Sequence, residues 1–162
     1  MARVYLSLGS NIQRRQHLGA GLEALRSRFG ALDLSPVYES EAIGFDGDPF
    51  YNLVAGLEAD LSVGALQRWI REVEAAHGRA PNAPKFSSRT LDIDILTYDD
   101  WVGQYEGVQL PRPDILTNAY VLLPLADVAG DQRHPITGLT YARLWADYDK
   151  SRQRLWPVTL DW

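Results

Sequence analysis

The order of hydrophobic periods along the chain is its tightest constraint. "VYLSL" alternates, with Val4, Leu6 and Leu8 on one side and Tyr5 and Ser7 on the other, as a strand does. After the turn cluster Gly9, Ser10 and Asn11, Leu18, Leu22, Leu25 and Phe29 recur at helical spacing, and Gly30 stands where a C-cap belongs. "ALDLSPVYES" predicts a second strand, with Pro36 marking an edge or a bulge. "FYNLVAGLEADL" predicts a third. Ser62 is then placed as an N-cap for a helix whose stripe is Leu66, Trp69, Ile70, Val73 and His77, ending near Gly78. "TLDIDIL" is the fourth strand. The order β-α-β-β-α-β is the split pattern of a ferredoxin-like α+β plait.

Two Gly/Pro-rich stretches interrupt this order. Ile43 to Pro49, "IGFDGDP", reads as a loop, and Arg79 to Ser88, "RAPNAPKFSS", as a second mobile loop. The tail predicts a short apolar helix in "NAYVLLPLADVAG", another in "TYARLWADY" and a last strand at "RLWPVTL". Residues 1–162 read as one domain, since the chain shows no repeat, linker or low-complexity segment.

The fourth strand carries the chemistry. Leu91, Ile93 and Ile95 face a core, so Asp92 and Asp94 leave together from the opposite face, roughly 7 Å apart along the strand. An unpartnered buried carboxylate is costly. Two on one rigid surface suit hard cations such as Mg²⁺, and two such ions serve displacement at phosphorus. Taken alone, D-x-D in a strand is more simply a solvated face. Arg71, Arg79, Lys85 and Arg89 crowd the sequence just upstream, however, and two loops stand ready to close over the same face. With no Walker A motif and no G-x-G-x-x-G, any nucleotide must be held through metal, arginines and loops.

A net charge of −5 argues against broad nucleic-acid binding. The absence of cysteine excludes disulfides and thiolate metal sites. With neither a signal-like start nor a membrane-length apolar run, the expectation is a cytoplasmic, monomeric protein with no membrane partner. His17, His77 and His134 have no metal-ligand spacing and read as surface or packing residues. The five tryptophans read as core or satellite packing.

"YLSLGSN", "YNLVAGLE", "RTLDIDIL", "LPRP" and "AYVLLPLADVA", in that order from Val4 to about Gly130, resemble the 6-hydroxymethyl-7,8-dihydropterin pyrophosphokinase family of folate biosynthesis. The resemblance implies pyrophosphoryl transfer from ATP to the pterin hydroxymethyl, with release of AMP. It implies two Mg²⁺ ions held by Asp92 and Asp94, and phosphate contacts from Arg79 and Arg89. It places Asn52 on the polar edge of the pterin, Phe50 and Tyr120 on its two faces, and Ser40, Ala42 and Ile43 around it. On the nucleotide side it places Arg71, Glu74, Lys85, Phe86, Arg89 and the backbone of Ile95.

The chain departs from the family at several positions. Arg112 stands where a histidine is common, Asn118 where a phosphate-binding arginine is common, and Phe86 where tryptophan is common. "SEAIG" replaces a proline-rich loop. Arg112 is thus either a replacement contact to the triphosphate or a solvated loop arginine. Two rival functions carry over: a non-catalytic pterin- or nucleotide-binding paralogue, and an RNA-binding domain on the same plan, which Asp92, Asp94 and the net charge disfavour.

Overall fold

The computed structural model describes residues 1–41, 47–78 and 90–160. In chain order the elements are β1 (Ala2–Ser10), α1 (Arg14–Phe29), β2 (Asp33–Leu34), β3 (Val37–Ser40), β4 (Phe50–Ala59), α2 (Val63–Ala76) and β5 (Asp92–Tyr98). There follow β6 (Gly103–Tyr105), β7 (Val108–Leu110), α3 (Asp114–Thr117), α4 (Ala119–Ala129), α5 (Tyr141–Asp147) and β8 (Leu155–Val158). The main sheet runs β5-β1-β4-β3-β8, with β2 also paired to β4, and every pairing is antiparallel. Strands β6 and β7 form a separate hairpin.

The predicted helix ends hold. Gly30 takes φ 85° and donates its N–H to the Arg26 carbonyl, closing α1 in a conformation that other residues resist. The Ser62 hydroxyl accepts from the Ala65 N–H at 3.2 Å and opens α2.

The predicted second strand is divided in two. Pro36 has no N–H to give a ladder, and the break is bridged by Ser35. Its N–H donates to the Val54 carbonyl and its hydroxyl accepts from the Val54 N–H, both at 2.9 Å.

One face of the sheet is mostly aliphatic, with Tyr98 at one end. Leu6, Leu8, Leu53, Leu57, Ile93 and Ile95 pack against Leu18, Leu22 and Leu25 of α1 and Leu66 and Ile70 of α2. Each such side chain is worth about 1.5–3 kcal/mol on burial. The opposite face is not simply open, as the acid pair had suggested. Tyr5, Val54 and Leu96 lie under Val121, Leu122 and Leu125 of α4, with Ile115 and Tyr141 completing a second core. The polar part of that face begins where α4 begins.

Two tryptophans depart from the packing expectation. Trp101 is exposed and leans on Tyr98 and Tyr105 with ring centroids 4.6 and 4.8 Å away. Trp156 is also exposed, its indole N–H donating to Glu39 at 2.9 Å. Trp69 does pack, edge-on against Phe29. His134 is buried, and its Nδ1 accepts from the N–H groups of Ile136 and Thr137, which organises a turn.

Candidate active site

The strand register assembles the site. Gly9 on β1 stands opposite Asn52 on one side and Asp92 on the other, and Asn52 stands opposite Tyr38. Directly paired antiparallel residues project to the same face. Asp92, Gly9, Asn52 and Tyr38 therefore form one row across the sheet. In the next row Ser7 stands between Asp94 and Val54. Both rows lie on the face that α4 covers farther along.

Gly9 makes the row possible. A Cβ there would stand 2.9 Å from Asn52 Oδ1, so only glycine lets the amide lie across the middle strand. Asn52 is buried and donates through Nδ2 to the Ser40 hydroxyl at 2.8 Å, and Ser40 is buried as well. Phe50, two residues before Asn52 on the same face, is half-buried beside them.

The acid pair is electrostatically strained. The Asp94 side chain keeps 28% of its surface exposed, yet its carboxyl is pushed up to about 7. Burial is the main cause, followed by the charge of Asp92; Arg112 opposes them, and Glu74 and Asp114 add to the rise. Arg112 lies between two acids, 3.6 Å from Asp94 Oδ1 and 3.7 Å from Asp114 Oδ1. Its backbone is fixed by an N–H bond to the Leu96 carbonyl at 2.8 Å. Arg112 is thus no free loop arginine; it is a counter-charge to the acid pair.

Tyr120, in the first turn of α4, closes the site from above. Its hydroxyl is pushed up to about 12, first by burial and then by Asp114, Asp92 and Asp94, so it stays neutral beside them. Asn118 donates through Nδ2 to that hydroxyl at 3.0 Å and to Asp114 Oδ2 at 3.3 Å.

The predicted nucleotide residues are partly visible. Glu74 is buried, and its carboxylate accepts the Ile93 N–H at 2.9 Å, which ties α2 to the outer edge of β5. Ile95 has a buried side chain, so only its backbone on that edge strand can meet a ligand. Arg71 is exposed on α2. Ala42, Ile43, Arg79, Lys85, Phe86 and Arg89 fall outside the described residues, as do most of the two predicted loops.

Sequence reasoning did not single out Gly9, Asp114 or Gln153. Gly9 was visible as part of "LGSN" but reads there as an ordinary strand end. Asp114 follows Arg112 closely enough to suggest a pair. Nothing near Gln153 announces that its side chain reaches Asn118.

Asp92 and Asp94 offer an oxygen-only donor set on one face. That fits a hard divalent cation. Among the described residues no group of three or more acidic or imidazole side chains forms a ready cage, so further oxygens would come from substrate and water.

A family model described as 7,8-dihydro-6-hydroxymethylpterin-pyrophosphokinase (HPPK) matches residues 5–130. The 2-amino-4-hydroxy-6-hydroxymethyldihydropteridine pyrophosphokinase of Porphyromonas gingivalis is 38% identical over 135 residues, spanning 80% of this chain and 92% of that protein. The folic acid synthesis protein fol1 of Pneumocystis carinii is 34% identical over 142 residues, 86% of this chain but 19% of that longer protein. Among solved structures, HPPK-DHPS of Plasmodium falciparum matches with a TM-score of 0.72 at 14% identity, covering 91% of this chain and 44% of that one, a likeness of fold.

Proposed function

This chain belongs to the 7,8-dihydro-6-hydroxymethylpterin-pyrophosphokinase family, and on that premise we propose how its sheet face carries the reaction. It is an ATP-dependent diphosphotransferase that moves pyrophosphate from ATP to 6-hydroxymethyl-7,8-dihydropterin in folate synthesis. The pterin hydroxymethyl oxygen bonds to the β-phosphorus and loses its proton to water, the bond from that phosphorus to the α-phosphate oxygen breaks, and AMP leaves.

One observation carries the assignment of roles. The register sets Asp92 and Asn52 on either side of Gly9, so a phosphate-side acid and a pterin-side amide share one row. Asn52, already oriented by Ser40, reads the polar edge of the pterin, while Phe50 and Tyr120 supply its aromatic faces and Ala42 and Ile43 complete the pocket.

Asp92 and Asp94 would hold two Mg²⁺ ions, which would supply positive charge to offset that of the triphosphate. Arg112 stands at Asp94, where the triphosphate must approach, and meets its oxygens. Arg79, Arg89 and Lys85 take further phosphate contacts, and Arg71, Phe86 and the Ile95 backbone hold the nucleoside. Glu74 serves that side by fixing the edge of β5.

The strand order β5-β1-β4-β3 supports a ferredoxin-like plait to which β8 adds an edge, and residues 1–162 are read as one such domain. The decisive assay combines purified protein, ATP, Mg²⁺ and hydroxymethyl-dihydropterin. AMP release that requires all three is expected; ATP hydrolysis indifferent to the pterin would refute the reading.

A further inference from the structure

An asparagine at a helix N-cap ordinarily turns its side chain back onto the N–H groups of the first turn. Asn118, the N-cap of α4, makes no such bond. Its amide faces the other way, toward the Tyr120 hydroxyl and Asp114. What holds it there comes from the far end of the chain. Gln153 accepts the Ala119 N–H through Oε1 at 2.7 Å, and donates through Nε2 to Asn118 Oδ1 at 3.1 Å. Gln153 thus occupies an N–H at the start of α4 and leaves Asn118 free to hold Tyr120.

The segment around Gln153 also reaches the pocket. Leu155 pairs with Ser40 across β3 and β8. Ser40, Tyr120, Gln153, Arg154 and Leu155 together line a cavity of about 230 Å³. All of this segment lies beyond residue 130, where the match to the family ends.

We propose that Gln153 is a positioning residue for the pterin pocket, orienting Tyr120 through Asn118, and that Ser151–Leu155 forms the outer wall of that pocket. The proposal rests on the reading of Tyr120 as a pterin contact. It also gives the Asn118 departure a structural sense: an arginine there could not accept the Gln153 bond. The hydrogen bonds run on from Asn118 to Asp114, whose ion pair with Arg112 leads to Asp94.

The test is a substrate-resolved comparison. Gln153→Ala is expected to raise the pterin Kd, measured without nucleotide, and the pterin KM by about five- to tenfold, the loss of one or two hydrogen bonds. The KM for ATP should stay within about twofold, a smaller step than one lost hydrogen bond. Gln153→Met, which keeps the side-chain length, should do the same if the alanine variant folds poorly. Combining Gln153→Ala with Asn118→Ala should cost little beyond either single change, because both break one chain.

An unchanged pterin Kd, or equal rises in both KM values, would overturn the proposal. Tyr120→Ala separates the two levels. If it weakens pterin binding while the Gln153 variants do not, the positioning role alone fails. If Tyr120→Ala leaves pterin affinity intact, the pocket assignment fails and takes the Gln153 role with it.

Discussion

The two faces of the sheet are made from the same strands yet do different work. On the face toward α1 and α2, side chains from β1, β4 and β5 are mostly aliphatic and buried, with Tyr98 at one end and Tyr51 at its margin. On the other face, those strands alternate Asp92 and Asp94, Ser7 and Gly9, and Phe50 and Asn52, and become apolar only under α4. The first face holds the fold together. The second gathers charged and polar groups beside Arg112, as a site for ligands requires. Substitutions should therefore lower stability on one face and turnover on the other.

The largest expected effect is loss of turnover in Asp92→Ala or Asp94→Ala with the fold retained. AMP production by either variant near the wild-type rate would break the comparison at its centre. Asp94→Asn sharpens it, because activity and stability should move in opposite directions. An aspartate titrates near about 3.9 in an unfolded chain, and in the folded chain Asp94 is pushed up to about 7. The folded state binds this proton more tightly, so stability is fullest below the unfolded value and declines as pH rises toward 7. In metal-free buffer Asp94→Asn should raise Tm at pH 8 and leave it little changed at pH 4. Thermal melts at the two pH values decide it.

Next in size, Leu22→Ala under the aliphatic face should cost about 2–5 kcal/mol in urea unfolding, with KM values unchanged below the transition. Asn52→Ala should weaken pterin binding by about 1–3 kcal/mol and leave ATP binding alone; titration with each ligand separates the two. The smallest effect is expected at Arg112. Removing its charge-assisted contact should weaken ATP by about tenfold, and it should also raise the Asp94 carboxyl further, since Arg112 now holds it down. A pH profile of Mg²⁺ binding that does not shift in Arg112→Ala would show the ion pair to be incidental.

Much of the aliphatic face was legible in advance, because a buried layer writes its period into the sequence. Leu18, Leu22 and Leu25, Leu66 and Ile70, and Ile93 and Ile95 all fall where the periodicity placed them. Asp92 and Asp94 were legible because charge within an apolar run is conspicuous. The second core was not. Leu96, Val54 and Tyr5 share it with α4, a contact that only tertiary packing creates. The β6–β7 hairpin was also missed, although Glu106 and Gly107 at its turn both take positive φ, 53° and 86°, as a tight hairpin asks. Gln153 was invisible for a plainer reason: a hydrogen bond between residues 35 apart leaves no local pattern.

The two outer strands bear on how the molecule behaves among its own copies. An exposed strand edge offers a row of peptide groups on which another chain can grow. Here β8 is four residues long and includes Pro157, which withholds a donor from that margin. On β5 the Ile93 N–H is taken by Glu74 and the Leu96 carbonyl by the Arg112 N–H, with Ile95 between them. Neither margin is a good template for self-association. Between Ile93 and Leu96 the margin of β5 is only two residues long, too short for a strand to pair along it.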